Sequence, residues 1–304
     1  MITFIQLTDT HIQAEDRDRF FGRDTMQSLR DTFAALRVCG LTPAYPVLIS
    51  GDLTNNGEPA AYARLRAVVD EQRADGVTVL LTLGNHDDRA AFRRAGLFDG
   101  RKADVPEPAE AVAPEGEKRI NARHMLGGLR LLLLDTHIPG AHDGDLGAAQ
   151  LAWLADELAA PAPEGTILVL HHPPEFSSFV TQEVHAIGDA DALRGLIVGS
   201  DVIGILAGHV HVHTVSVFAG VPCVAAPGTA FLLDPFARGG MRFLDGGGFH
   251  VVTVADRQMT VRQIPAPGTG AELAFLTEAQ MRAPGRAPGS FPAPVPARSP
   301  STPL

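Results

Sequence analysis

Apolar runs of strand length recur along this 304-residue chain, and most of them stop at a short polar cluster. Ile2–Leu7 precedes Asp9-Thr10-His11, Val47–Ser50 precedes Gly51-Asp52, and Val77–Leu83 precedes Gly84-Asn85-His86-Asp87. Ile167–Leu170 precedes His171-His172, and Val202–Ala207 precedes Gly208-His209-Val210-His211. Leu129–Leu134 is a further run. Between them, Met26–Val38, Pro59–Arg73, Arg89–Ala95, Ala148–Ala159 and Ala190–Val198 repeat apolar residues at three- and four-residue steps, the period of a helix. Pro59 sits where a first helical turn tolerates it, and Gly40 and Gly76 follow helix ends as stop signals. Strands alternating with helices predict an α/β fold, in which ligands bind where strand ends converge. Each polar cluster is then delivered at the C-terminal end of a strand.

The later chain reads mostly as β structure: Val221–Ala226, Met241–Leu244, Phe249–Val254 and Met259–Ile264, separated by Gly-rich turns such as Gly246-Gly247-Gly248. From Pro265 onward, Pro, Ala, Gly and Ser dominate without periodicity. The expected organisation is one folded domain over residues 1–264 and a tail over residues 265–304 with little core of its own, a docked arm being the alternative. Arg101–Gly116, rich in Pro, Ala and Glu, reads as a surface loop near the rim of the site.

A net charge of -10 without a long basic run argues against duplex nucleic acid as a partner. No apolar run approaches the roughly 20 residues that cross a bilayer, and the N-terminus lacks the pattern of a secretory leader. Cys39 and Cys223 are the only cysteines, which argues against a disulfide framework and for a reducing, cytoplasmic location. A composition that is 45% hydrophobic supplies a sizeable core.

The clusters carry the chemistry. Asp9 and His11 stand at i and i+2, which in extended backbone point to one side, so both can grip one cation. Asp52, beside a glycine, can place one carboxylate oxygen on each of two cations, although the dipeptide by itself reads more readily as a turn or helix cap. In Gly84-Asn85-His86-Asp87, the Asn85 amide is a hard, uncharged oxygen ligand, which leaves His86 to face a substrate. Asp87 either orients His86 or caps the helix that starts near Arg89. One of His171 and His172 is expected to be a ligand. The rings of His209 and His211 are expected to reach different cations, with His213 packing or meeting solvent. His124, His137, His142, His185 and His250 lack partners at diagnostic spacing and read as structural. Two carboxylates, an amide and several imidazoles are enough to hold two divalent ions, an arrangement that activates water for attack on phosphorus.

Taken in order, Asp-x-His, Gly-Asp, Gly-Asn-His-Asp, His-His-Pro-Pro and Gly-His-x-His resemble the calcineurin-like metallophosphoesterase superfamily over residues 2–264. Three longer stretches, Gly51–Gly57 with Tyr62 beyond, Gly84–Phe92 and Gly144–Leu158, are similar to its bacterial class III cyclic-nucleotide phosphodiesterase and glycerophosphodiesterase branch. The resemblance implies a four-layer α-β-β-α sandwich of two packed mixed β-sheets. It implies two divalent ions, iron, manganese or zinc, one held by Asp9, His11, Asp52 and His211 and the other by Asp52, Asn85, His171 and His209. Asn85 and His86 become the catalytic pair beside the bridging Asp52, and His172 stands behind the ligands. The implied reaction is attack of a metal-activated hydroxide on a small phosphodiester, in an enzyme that forms homodimers or higher oligomers in several members of the branch. A phosphomonoesterase or protein phosphatase is the rival enzyme, and a partner-binding scaffold the rival outside catalysis.

Overall fold

The computed structural model describes residues 1–98, 118–175 and 187–281. The loop expected at Arg101–Gly116 lies outside them, as does His185. In the first sheet β1 (Ile2–Leu7) pairs in parallel with β2 (Val47–Ser50), and β2 with β3 (Val79–Thr82). On its other side β1 runs antiparallel to β12 (Gly247–Ala255), and β12 antiparallel to β13 (Gln258–Ala266). The second sheet has the order β4 (Ala122–Leu126), β5 (Leu129–Leu134), β6 (Thr166–Leu170), β7 (Val202–Ala207), β9 (Val221–Ala225), β8 (Thr214–Phe218). There β5, β6, β7 and β9 run parallel, and the two edge strands pair antiparallel with their neighbours.

Side-chain alternation on β5 shows why these runs are apolar throughout. Leu129, Leu131 and Leu133 face Ile167, Val169, Phe4, Leu48 and Val252 in the layer between the sheets. Leu132 and Leu134 face the opposite way, onto Trp153, Leu154, Leu193 and Ile197 of α4 (Gly147–Leu158) and α5 (Ala190–Ile197). A strand covered on both faces leaves no polar position to alternate. Arg130 breaks the run and is still buried, because its guanidinium donates to Thr166 Oγ1 at 2.8 Å and to Asp201 Oδ1 at 2.9 Å. On the outer face of the first sheet, α1 (Thr25–Val38), α2 (Pro59–Ala74) and α3 (Arg89–Arg94) pack Leu29, Phe33, Tyr62, Leu65 and Phe92 against Ile5, Leu7, Ile49 and Leu81. Asp24 caps α1 by accepting from Gln27 N at 3.0 Å, and Pro59 opens α2. The four-layer α-β-β-α sandwich is therefore the observed architecture. No helix among the described residues is long and apolar enough to cross a membrane.

One expectation needs correction. The chain beyond Pro265 is not a tail throughout: β14 (Glu272–Thr277) pairs antiparallel with β11 (Gly240–Leu244), which pairs with β10 (Leu232–Leu233) in a third, small sheet, and α6 (Glu278–Met281) follows. Ala274 and Leu276 are buried with Phe20, Phe231 and Phe243. Composition misleads here because Pro265, Pro267, Gly268 and Gly270 dilute the window, while the six-residue strand that follows them alternates inward and outward. Leu276→Ala should therefore lower stability by about 2–5 kcal/mol, as for other buried leucines. Urea unfolding checks this; an unchanged midpoint would mean that the segment adds no core.

Candidate metal centre

The strand-end loops place their polar side chains in a common hollow where the two sheets meet. Asp9, His11, Asp52, His209 and His211 all adopt left-handed backbone, with φ of 54°, 43°, 47°, 71° and 53°. Asp and His tolerate this region better than most side chains, but it is a strained conformation, of the kind that persists where the surroundings over-determine it. The pairing of Asp9 with His11 thus has a different cause from the extended alternation read in the sequence: the chain turns at both residues. Backbone bonds hold the turn, with Asp9 N donating to the Gly51 carbonyl and His11 N to the Asp52 carbonyl, both at 3.0 Å. Gly84 must be a glycine because a Cβ there would collide with Asp52 Oδ1.

All seven residues expected as ligands come together. His11 Nε2 and His211 Nε2 lie 3.1 Å apart, and Asp9 Oδ1 is 3.1 Å from His211 Nε2. Asp52 Oδ2 stands between two groups, 3.6 Å from His11 Nε2 and 3.3 Å from His171 Nε2. Asn85 Oδ1 is 3.0 Å from His209 Nδ1. Asp9, His11 and His211 form one close group of ligand-type atoms, and Asp52, His171 and His209 another. Asp9, Asp52, His11 and His171 are buried, and among the described residues neither Asp9 Oδ1 nor His171 Nε2 has a partner in hydrogen-bond geometry, close as His211 Nε2 and Asp52 Oδ2 stand to them. Lone pairs converging on one hollow, with buried atoms left unpaired, are what a divalent cation would satisfy. Mixed imidazole, carboxylate and amide donors suit first-row transition metals or zinc.

The electrostatics agree. Burial pushes the Asp9 and Asp52 carboxyls up, but His211 and His171 beside Asp9, and His171 and His86 beside Asp52, outweigh it and hold both ionised. Burial also opposes charge on His171, yet Asp52 and Asp9 raise it to about 9, so the carboxylates draw positive charge to this position. Burial lowers His11 and His209 to about 3, with His86 and His171 respectively adding to the effect. Neutral imidazoles are the ligating form.

Oxygen acceptors select which ring nitrogen faces the hollow. His171 Nδ1 donates to the Ser50 carbonyl at 3.0 Å, His211 Nδ1 to the Phe231 carbonyl at 3.0 Å and His11 Nδ1 to Asn55 Oδ1 at 3.3 Å, leaving each Nε2 directed inward. His172 is held behind them between Thr136 Oγ1 at 2.7 Å and the His142 carbonyl at 3.1 Å. His86 donates Nδ1–H to the Asn55 carbonyl at 2.8 Å and its backbone N–H to Asp52 Oδ1 at 2.9 Å. Neither role considered for Asp87 is the observed one. Its carboxylate accepts from the amides of Leu53, Thr54 and Gly84 and from the Tyr62 hydroxyl, which stitches the Asp52 loop to the His86 loop. The neighbouring Asp88 caps α3, accepting from Ala91 N at 2.7 Å. Sequence reasoning missed Asn55, which supports both His11 and His86, although it stood in a matched stretch. His142, expected to be structural, accepts from His172 through its carbonyl, and its ring lies 6.4 Å from that of His86.

Residues 2–213 match the family described as calcineurin-like phosphoesterase. The chain is 37% identical over 281 residues to a cAMP/cGMP dual specificity phosphodiesterase of Mycobacterium tuberculosis, covering 91% of this chain and 84% of that protein. It is 36% identical over 264 residues to a probable cyclic nucleotide phosphodiesterase of Rhodococcus erythropolis, covering 86% and 82%. Among solved structures, a dimetal phosphatase from Danio rerio superposes with a TM-score of 0.54 at 15% identity, covering 86% of this chain and 98% of that one, a likeness of fold alone. With its motifs in family order, its strand-end donors gathered in one hollow and its family match spanning most of the fold, the chain belongs to the calcineurin-like phosphoesterase family.

Proposed function

We propose that this chain hydrolyses a small phosphodiester, of the cyclic-nucleotide or glycerophosphodiester type, with the help of two divalent ions. The observation that carries the reading is Asp52 Oδ2, which stands 3.6 Å from His11 Nε2 and 3.3 Å from His171 Nε2, beside one imidazole of each donor group. Asp9, His11, Asp52 and His211 would hold one ion, and Asp52, Asn85, His171 and His209 the other. Iron, manganese or zinc suits this set. Held there, the ions would supply Lewis acidity toward phosphoryl oxygens and generate the hydrolytic nucleophile at neutral pH. The names of the relatives support the choice of a cyclic nucleotide over a monoester. Free Cys39 and Cys223 fit a cytoplasmic location.

The protein's own groups divide the remaining work. Asp9 and Asp52 would offset two of the four charges of a bound ion pair, so that the loaded centre would attract a phosphodiester monoanion into an otherwise acidic molecule. Asn85 adds a ligand without adding charge. His86, anchored through Nδ1 to Asn55, keeps Nε2 3.9 Å from Asp52 Oδ2, where it can stabilise or protonate the leaving oxygen. The backbone N–H of His86 orients Asp52 at the same time.

Three outcomes test this reading. Bis(p-nitrophenyl) phosphate should turn over faster than p-nitrophenyl phosphate after loading with Mn(II); the opposite order makes the enzyme a monoesterase. His86→Ala should slow a diester with a poor leaving group by about 10²- to 10⁴-fold, while sparing one with a good leaving group. Full turnover of the poor leaving group would remove His86 from the acid role. Asp52→Ala should bind fewer than two metal ions per chain by elemental analysis, and two retained ions would contradict the bridge.

A further inference from the structure

Gln6 lies three residues ahead of Asp9 on β1 and is fully buried between the sheets. Its Nε2 donates to Ser50 Oγ at 3.0 Å and to the Ala207 carbonyl at 2.9 Å. Ser50 ends β2 and Ala207 ends β7, and two residues beyond them stand Asp52 and His209. One amide therefore ties together the ends of three strands that deliver ligand-type side chains, two from the first sheet and one from the second. Ser50 extends the tie: its hydroxyl donates to the Leu7 carbonyl at 3.3 Å, and its carbonyl holds His171 Nδ1.

Donor and acceptor inventories set the direction of every bond. A carbonyl only accepts, and Ser50 gives its proton to Leu7, so the Gln6 NH₂ group must face both Ala207 and Ser50. Oε1 is then turned to His250 Nδ1 at 3.1 Å, which must carry a proton. Burial pushes the His250 imidazole down to about 3, with His213 adding to the shift, so the ring is neutral and Nε2 is an acceptor. His213 Nδ1 supplies that proton at 2.9 Å. The series from His213 through His250, Gln6 and Ser50 to Leu7 is satisfied link by link. A glutamate at position 6 would set a carboxylate oxygen against the Ala207 carbonyl.

We propose that Gln6 is a positioning residue for the metal centre, holding the strand ends that carry Asp9, Asp52 and His209 at a fixed separation, with His250 orienting its amide. The apolar layer between the sheets, built from residues such as Phe4, Leu48, Leu206 and Val252, is non-directional and tolerates small sliding. Ligand geometry tolerates displacements of only about 0.5 Å. Directed hydrogen bonds at the strand ends supply what the apolar layer lacks. This inference rests on the two-ion reading.

The test compares the wild-type chain with Gln6→Met, His250→Phe and His250→Asn. Mn(II) binding is measured by calorimetry, the exchange coupling between bound Mn(II) ions by electron paramagnetic resonance, and melting of each metal-free protein reports its fold. Gln6→Met and His250→Phe should weaken the second Mn(II) by about 10- to 100-fold and lose the coupled spectrum, as when groups behind metal ligands are removed. The effect on turnover should fall on kcat more than on KM. His250→Asn, whose amide can still donate to Gln6 Oε1, should stay close to wild type. A space-filling role predicts the reverse order, since phenylalanine preserves the ring and asparagine leaves a void; that order, or unchanged binding in all variants, overturns the proposal. Should Gln6→Met fail to fold, the His250 pair still decides. A wild-type chain that takes up a single Mn(II) refutes the two-ion reading instead, and the affinity for that ion across the same variants then tests Gln6.

Discussion

Two carboxylates kept ionised in a buried hollow are the constraint around which this molecule is organised. Burial works against charge at Asp9 and Asp52, and the surrounding imidazoles more than offset it. That balance holds only if His171 and His211 stay within a few ångströms of the carboxylates, which in turn requires strands from both sheets to end at the same level. Every layer of the fold serves that alignment. Parallel strands direct their C-terminal ends to one rim, apolar cores hold the sheets face to face, and the small third sheet seals the hollow on the side of His11 and His211.

The sealing is direct. Phe231 stacks on His211 with ring centroids 4.0 Å apart, Phe20 stacks on Phe231 at 4.3 Å, and the Phe231 carbonyl selects the His211 tautomer. Leu276 and Ala274 of β14 pack into the same aromatic group, so the segment after Pro265 contributes to the wall behind the ligands. Five ligand-type residues in left-handed backbone represent strain concentrated at the rim, and the cores beneath it supply the stabilisation that tolerates it.

Much of the fold was legible in the sequence because its parallel strands are buried on both faces and read as uninterrupted apolar runs, and because Pro59, Gly40 and Gly76 punctuate the helices. The strands that escaped notice, β4, β8, β10 and β14, are short or lie at sheet edges, where half-exposed residues dilute the apolar signal. Within the site, the seven donors stood out by residue type and strand-end position. Asn55 and Ser50 did not: the backbone carbonyls that hold His86 and His171 are groups every residue possesses, and the Asn55 amide and Ser50 hydroxyl meet their partners across the fold. Asp87 was misread because its partners, Leu53, Thr54 and Tyr62, are remote in sequence.

Sequence alone determined which chemical groups are present and that strand ends present them, because burial period and donor type are properties of local stretches. Tertiary structure decided which atoms meet, which ring nitrogen of each histidine faces inward, and which buried amide spans the two sheets. Those outcomes depend on contacts between residues as far apart in the chain as Gln6 and His250, and a linear pattern carries no distance between them.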